Sequence, residues 1–327
     1  IYAWRNSRPE FIEELTNNVG VFEHHVININ HRCHPSIINY SNRLYNSTCD
    51  LLPVDSIRVH RRNYPGTQVD VTEGLNESIK SAMKNKVVES YSQIGILVRG
   101  NLSLEFLGNG LNVPFRVFDE DPLAVSNTEI SKLFSQFLKY RFDSQYHMYD
   151  VIEYIETFSP LDRKGLAQVR ELISTLDEKD NEELSLAIIE VVEELLSVVV
   201  SDSDKELINS ICIDSSLLKH YKPINEDEVQ VMTIHKSKGL EFELVYHLDL
   251  YDWIHPRRKY VKGCYDVVYD NWEQELNLHF VGITRAKEHC VLVTSGQRFN
   301  RDYEVKQGNP SQFFSMPGLA GLYRHKK

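Results

Sequence analysis

Residues 229–242 read VQVMTIHKSKGLEF. The apolar run 229–234 has the β-branched character of a strand. It ends in Thr233, Ile234 and His235, and Lys236, Ser237, Lys238 and Gly239 follow. A strand end that feeds a basic turn with a hydroxyl and a glycine can grip phosphate oxygens through side chains and backbone N–H groups. On composition alone an ordinary surface loop is an equal reading. Working outward, further candidate strands lie at 26–30, 94–98, 113–118, 244–248 and 290–294. Several are continuously apolar, the pattern of strands covered on both faces in a parallel α/β sheet. Between them lie helical patterns. Pro35 suits the first turn of a helix over 35–46, with Ile37, Ser41 and Leu44 on one stripe. The run 129–140 places Ile130, Leu133, Phe134, Phe137 and Leu138 on one face.

The middle of the chain, 144–222, reads as helices with almost no strand signal. Leu184, Ile188, Val191, Val192, Leu195 and Val199 form an apolar stripe, with Glu183, Glu190, Glu193 and Glu194 elsewhere on the surface. An all-helical insertion inside an α/β domain is the expected architecture. Its acids read first as a solvated helix face, and second as a docking surface for a nuclease or repair partner or a face that repels DNA. The net charge of −11 does not exclude nucleic acid. Between Glu171 and Glu206 twelve acids face two lysines, a net of −10, so the other 291 residues sum to −1. A near-neutral domain can still present a basic face. Hydrophobic residues make up 42% and charged residues 25%, a soluble globular profile. No apolar run approaches the ~20 residues of a membrane span, so no membrane partner is expected. Five cysteines without a CxxC pair fit a reducing cytoplasm better than a disulfide framework.

Three more segments carry chemistry. In ELNLHFVGITRAK, 275–287, an amphipathic helix leads to Arg285, placed to reach a phosphate across a cleft. A salt-bridged surface arginine is the commoner alternative. In INHRCHPSIINY, 29–40, Arg32 sits in the turn between a strand end and a helix, where α/β folds build sites. His31, Cys33 and His34 lack a second ligand pair at a usual spacing, so no metal site is expected. At the start, IYAWRNS places Tyr2, Trp4 and Arg5 together, aromatics able to stack bases or simply to pack in a core.

In this order the segments resemble motifs of the UvrD/Rep family of superfamily-one DNA helicases. IYAWRNS resembles the end of motif III, NHR motif IV, TIHKSKGLEF motif V and FVGITRAKE motif VI, with the closing NPSQFF similar to the family's PSxFL. The resemblance implies a RecA-like parallel sheet of the P-loop NTPase superfamily, without the P-loop, and a helical insertion. The corresponding division is 1–20 as the tail of a first RecA-like domain, 21–143 and 223–327 as the second, and 144–222 as the insertion. IYAWRNSRPEFIEEL and NYSNRLYN also resemble the UvrD-like subunits of the Gabija phage-defence system.

Carried over position by position, the resemblance makes Arg32 and Arg285 arginine fingers toward the γ-phosphate of ATP. Glu241 would bind the ribose, and His31 would stack on adenine where the family has Tyr or Phe. Gly239, Gln274 and Glu275 would complete the nucleotide site. Thr233, His235, Lys236 and Ser237 would touch single-stranded DNA, with Tyr2, Trp4 and Arg5 stacking its bases. Cys33 replaces a helix-capping Ser at a cost of about 1 kcal/mol. No GxxxxGK[ST] loop occurs in the 327 residues. The expectation is therefore the C-terminal part of a 3′-to-5′ translocating helicase that uses ATP and Mg²⁺ in the full-length protein, binds neither by itself, and acts on single- or double-stranded DNA. The alternative is a non-catalytic DNA-binding or partner-recruiting relative.

Overall fold

The computed structural model describes residues 10–19, 30–224, 227–259 and 267–326. Residues 26–29 of the candidate strand and the opening segment with Tyr2, Trp4 and Arg5 lie outside the described residues, as does Cys264. The chain forms two compact units, Ile1–Val117 with Glu226–Lys327, and Phe118–Asn225.

The first unit is built on a seven-stranded sheet. Its strands are β1 (Val59–Tyr64), β2 (Ile94–Val98), β3 (Phe115–Phe118), β4 (Val229–Thr233), β5 (Phe242–His247), β6 (Ala286–Ser295) and β9 (Arg324–Lys326), and a separate hairpin pairs β7 (Gln297–Phe299) with β8 (Val305–Gln307). The order is β3-β4-β2-β5-β6-β1-β9, with parallel pairing from β4 through β9. All five residues of β2 are buried, which is why its sequence is continuously apolar. Helices α1 (Glu10–Val19), α2 (Pro35–Arg43), α3 (Gln68–Lys84), α4 (Asn101–Gly110) and α12 (Trp272–Ile283) complete the unit. Leu75 and Ile79 of α3 and Leu104 and Leu107 of α4 pack with Ile94, Ile96, Val231 and Leu244 in one core.

Strand β1 has no apolar signature, because its sequence is VHRRNY. It is accommodated because Arg61, 8% exposed, lies under the Tyr323 ring at 3.5 Å and donates to Phe314 O at 2.9 Å and Tyr40 Oη at 3.1 Å.

The second unit is wholly helical among its described residues, except for the last residue of β3: α5 (Pro122–Ser126), α6 (Glu129–Phe142), α7 (Met148–Glu156), α8 (Arg163–Ser174), α9 (Asn181–Leu196), α10 (Asp202–Ile213) and α11 (Ser215–Leu218). It begins at Phe118, not at 144, because α6 gives its apolar face to this unit. Leu133, Phe134, Phe137 and Leu138 share a core with Leu184, Ile188 and Val192 of α9. Helix α9 ends at Leu196, so Val199 falls off the expected stripe and is 85% exposed. No helix among the described residues is long and apolar enough to cross a membrane.

Candidate functional site

The chemistry-bearing residues of the sheet unit gather at two opposite edges. One is the entry edge, where β5 and β6 begin side by side, Phe242 opposite Ala286. The other is the exit edge, where β2, β4 and β5 end at Val98, Thr233 and His247. Parallel α/β proteins usually bind ligands at the exit edge.

At the entry edge three distant stretches meet. Phe242 N–H donates to Arg285 O at 2.9 Å, and Arg285 NH1 donates to Leu240 O at 3.1 Å. Arg32 Nε pairs with Glu241 Oε1 at 2.5 Å, the two side chains 36% and 38% exposed. The start of α2 is held to the same place: His34 N–H donates to Lys287 O at 2.7 Å, and Cys33 Sγ to Thr284 O at 3.6 Å. Burial pushes the Cys33 thiol up despite the Arg32 and Arg285 charges nearby. Arg32, Glu241 and Arg285 are thus brought together. Arg285, 9% exposed, also donates through Nε to Val281 O at 3.3 Å. His31 is exposed beside Arg32.

The helix cap differs from the reading of the sequence. His34, not Cys33, caps α2: its Nδ1 accepts from Ser36 N at 3.1 Å while its Nε2 meets Asp55 Oδ1 at 3.0 Å. Cys33 therefore bears no capping penalty.

The turn after β4 leads from the exit edge back to the entry edge. Thr233 and His235 are half-buried, Lys236 is exposed, and Gly239 has φ +89°, a left-handed backbone that favours glycine. Ser237 is turned inward, fully buried, with Oγ donating to Ile234 O at 2.7 Å. Its hydroxyl stabilises the turn. Burial, then the Arg99 and Lys238 charges, lowers the His235 pKa.

Glu275 is placed apart from the entry-edge group. It is 6% exposed and sits at the exit edge. Its carboxylate accepts from Arg99 NH2 at 2.6 Å and Nε at 3.4 Å, and meets His255 Nδ1 at 2.8 Å. Burial would raise its pKa, but the hydrogen bonds of His255 and Arg99 and the Arg99 charge outweigh it and hold the carboxyl at about 2. Arg99 is the permanent cation of this group. Burial keeps His255 neutral, donating a proton from Nδ1. Gln274 lies in the first turn of α12, where its N–H donates to the capping Asn271 Oδ1 at 2.9 Å.

Beside Glu275 the exit edge opens into a cleft of about 600 Å³ that the sequence reading missed. Arg99, Arg257, Arg258, Arg298 and Arg301 line it, with Trp253 and Phe299 among them. Asp249 lies at its base, accepting from Arg99 N at 2.8 Å and Ser103 Oγ at 2.6 Å. Several of these arginines already have partners: Arg258 pairs with Asp252 at 2.6 Å and Arg257 with Asp270 at 3.9 Å. The signal in the sequence was the pair Arg257-Arg258 after Trp253, an aromatic beside basic residues like that noted at the start of the chain.

A family model described as the UvrD-like helicase C-terminal domain matches residues 124–297, just over half of the chain. The chain is 22% identical over 321 residues to the Gabija protein GajB of Bacillus cereus (strain VD045), covering 93% of this chain and 57% of that protein. It is 40% identical over 106 residues to the ATP-dependent DNA helicase Rep of Buchnera aphidicola subsp. Acyrthosiphon pisum (strain APS), 32% of this chain and 15% of that helicase. Rep of Escherichia coli (strain K12) is 36% identical over 88 residues, 27% and 12% of the two chains. The chain therefore spans little more than half of one curated relative and a small part of the others.

Proposed function

Because the chain belongs to the UvrD-like helicase C-terminal domain family, we propose that it supplies the trans-acting half of an ATP-driven 3′-to-5′ DNA translocase. The observation that carries this reading is the convergence of Arg32, Glu241 and Arg285 at the entry edge of the sheet. Two guanidiniums and an acceptor carboxylate suit phosphate oxygens and a ribose hydroxyl. ATP, with its Mg²⁺, provides the anhydride whose cleavage drives movement. Arg285 donates to the Val281 and Leu240 carbonyls, and a phosphate would offer it charge-assisted bonds. Arg32 is held by Glu241, so engagement of a nucleotide would exchange that pair for phosphate and sugar contacts. No P-loop sequence occurs in the 327 residues, so we infer that phosphates and metal are cradled by a second, P-loop-bearing half.

The DNA strand would pass the exit edge, touching Thr233, His235 and Lys236 and entering the arginine-lined cleft. Basic walls with interleaved aromatics suit a phosphate backbone and stacked bases. Helix α12 spans the two regions, from Glu275 beside the cleft to its end next to Arg285. The helix is 12 residues long, about 18 Å from end to end. The helical unit, with its acidic run, would serve as the partner-facing part of the same machine.

The test is DNA-stimulated ATP hydrolysis with a P-loop-bearing half present. Arg32→Ala and Arg285→Ala should each lower kcat on the order of 10³–10⁵-fold, the range for arginine fingers, with little change in DNA affinity. The 327-residue chain by itself should not turn over ATP. Mg²⁺-dependent turnover by the chain alone, abolished by Arg285→Ala, would overturn the reading.

A further inference from the structure

Three histidines meet inside the sheet unit. His247 is the last residue of β5, His255 lies in the loop after it, and His279 is on α12. All three are completely buried. Their ring centroids are 5.1 to 5.7 Å apart, and one ring nitrogen from each lies within 4.8 Å of the other two. The closest approach is 3.1 Å, from His279 Nδ1 to His247 Nε2.

The outer nitrogens are already assigned. His247 Nδ1 lies 3.2 Å from Leu248 O, so it carries the proton and leaves Nε2 as a lone pair. His255 Nδ1 lies 2.8 Å from Glu275 Oε2, with the same result. The inner side holds an unsatisfied nitrogen: among the described residues His255 Nε2 has no hydrogen-bond partner. Phe313 closes the site, stacked on His279 at 4.5 Å and edge-on to His255 at 5.2 Å. Leaving this imidazole nitrogen unpaired in an apolar pocket costs about 1–3 kcal/mol. That cost is hard to reconcile with a cluster so completely enclosed.

We propose that His247, His255 and His279 hold one divalent transition-metal ion of the zinc class. A tetrahedral ion with metal–nitrogen bonds of about 2.0–2.1 Å sets its ligands roughly 3.3 Å apart. The His247–His279 pair is already at that spacing, and rotation of the rings brings in the third. His279 offers Nδ1 once its proton sits on Nε2. Imidazole donors select zinc, copper, nickel or cobalt, and not magnesium or calcium, which want oxygen. The carboxylate of Glu275 behind His255 is the outer partner that metal-bound histidines usually have. Both its oxygens are engaged by His255 and Arg99, so the fourth ligand is water. Because all three ligands are completely buried, the ion is assigned a structural role. It joins the end of β5, the following loop and α12, and so fixes the helix that leads to Arg285. The proposal rests on the histidine geometry alone and stands or falls independently of the proposed helicase role.

The test uses the purified chain, stripped with chelator, reloaded with Zn²⁺ and gel-filtered. Elemental analysis should give one zinc per chain, and Co²⁺ loading should give the intense visible bands of a four-coordinate ion. Glu275→Gln should weaken Zn²⁺ about 10–100-fold in competition with a chromophoric chelator, as loss of an outer partner does. His255→Gln with His279→Leu should abolish loading, and His325→Ala on the exposed β9 should leave it at one per chain. Substoichiometric zinc in the reloaded wild-type chain, together with a six-coordinate Co²⁺ spectrum, overturns the proposal and leaves an ordered water between the rings. Retention of one zinc by the folded double variant overturns it equally. Both overturning readouts concern folded protein, checked by near-ultraviolet circular dichroism, so a variant that unfolds cannot imitate them.

Discussion

The two edges of the sheet use the same pair of residue types in opposite ways. At the exit edge Arg99 and Glu275 are sealed: their side chains are 20% and 8% exposed, and His255 holds the second carboxylate oxygen. At the entry edge Arg32 and Glu241 are open, each more than a third exposed. A buried pair is structural, because removing one partner strands an uncompensated charge. An exposed pair contributes little to stability and is easily exchanged for another partner. Both edges are served by α12, so one helix carries a fixed ion pair at its start and leads to a replaceable set of contacts at its end.

The largest effect that could break this contrast is Arg99→Ala. It should destabilise the fold by about 3 kcal/mol, near the low end for broken buried pairs because Arg99 keeps some exposure. Urea unfolding monitored by circular dichroism measures it. A loss no larger than that of Arg32→Ala would erase the distinction.

The pH dependence sharpens the same contrast. The Glu275 carboxyl is held at about 2 in the folded protein, against an ordinary 4.5. As pH falls from about 4.5 to about 2, the unfolded chain takes up a proton that the folded chain refuses. Stability contributed by Glu275 is therefore complete above pH 4.5 and is lost through that window. Urea titrations at a series of pH values, with chelator present, should show this slope in the wild type and a flatter one in Glu275→Gln. Equal slopes would mean that the carboxylate is not held by Arg99 and His255.

How much of this was legible in the sequence follows the same division between local and long-range causes. Strands β2, β4, β5 and β6 announce themselves because burial on both faces demands continuous apolar runs. Strand β1 does not, because its charged Arg61 is paid for by Tyr323, Phe314 and Tyr40, far away in the chain. The apolar face of α6 was readable, but a helix face does not say which core it joins, so the boundary at Phe118 was invisible. Arg32, Glu241 and Arg285 could be named from their motifs. Their meeting at the entry edge, and not at the C-terminal ends of the strands, depends on how α2 docks on the junction of α12 and β6. The arginine cleft showed only its Trp253, Arg257 and Arg258 run, and the histidine cluster had no spacing to betray it. His247, His255 and His279 stand eight and twenty-four residues apart, on a strand, a loop and a helix.

A smaller effect concerns the cleft. Arg257 and Arg301 are exposed at its rim, and neither is buried in a structural pair like that of Arg99. Arg257→Ala and Arg301→Ala should each weaken single-strand binding to a similar degree for all sequences and lower the salt slope by about 1. Fluorescence anisotropy across a salt series reads both. An unchanged slope for both variants would move the strand out of the cleft.

The smallest stability effect is also the most discriminating. Arg32→Ala should cost under about 1 kcal/mol in unfolding experiments, since both partners are solvated in the folded chain. The same substitution should remove most DNA-stimulated turnover when a P-loop half is present. A residue that hardly matters to the fold and greatly to hydrolysis is one whose present contact, with Glu241, is a resting place. If Arg32→Ala instead destabilises as much as Arg99→Ala, its pairing with Glu241 is structural. The entry edge would then be a second sealed junction, with no exchangeable arginine to offer a nucleotide.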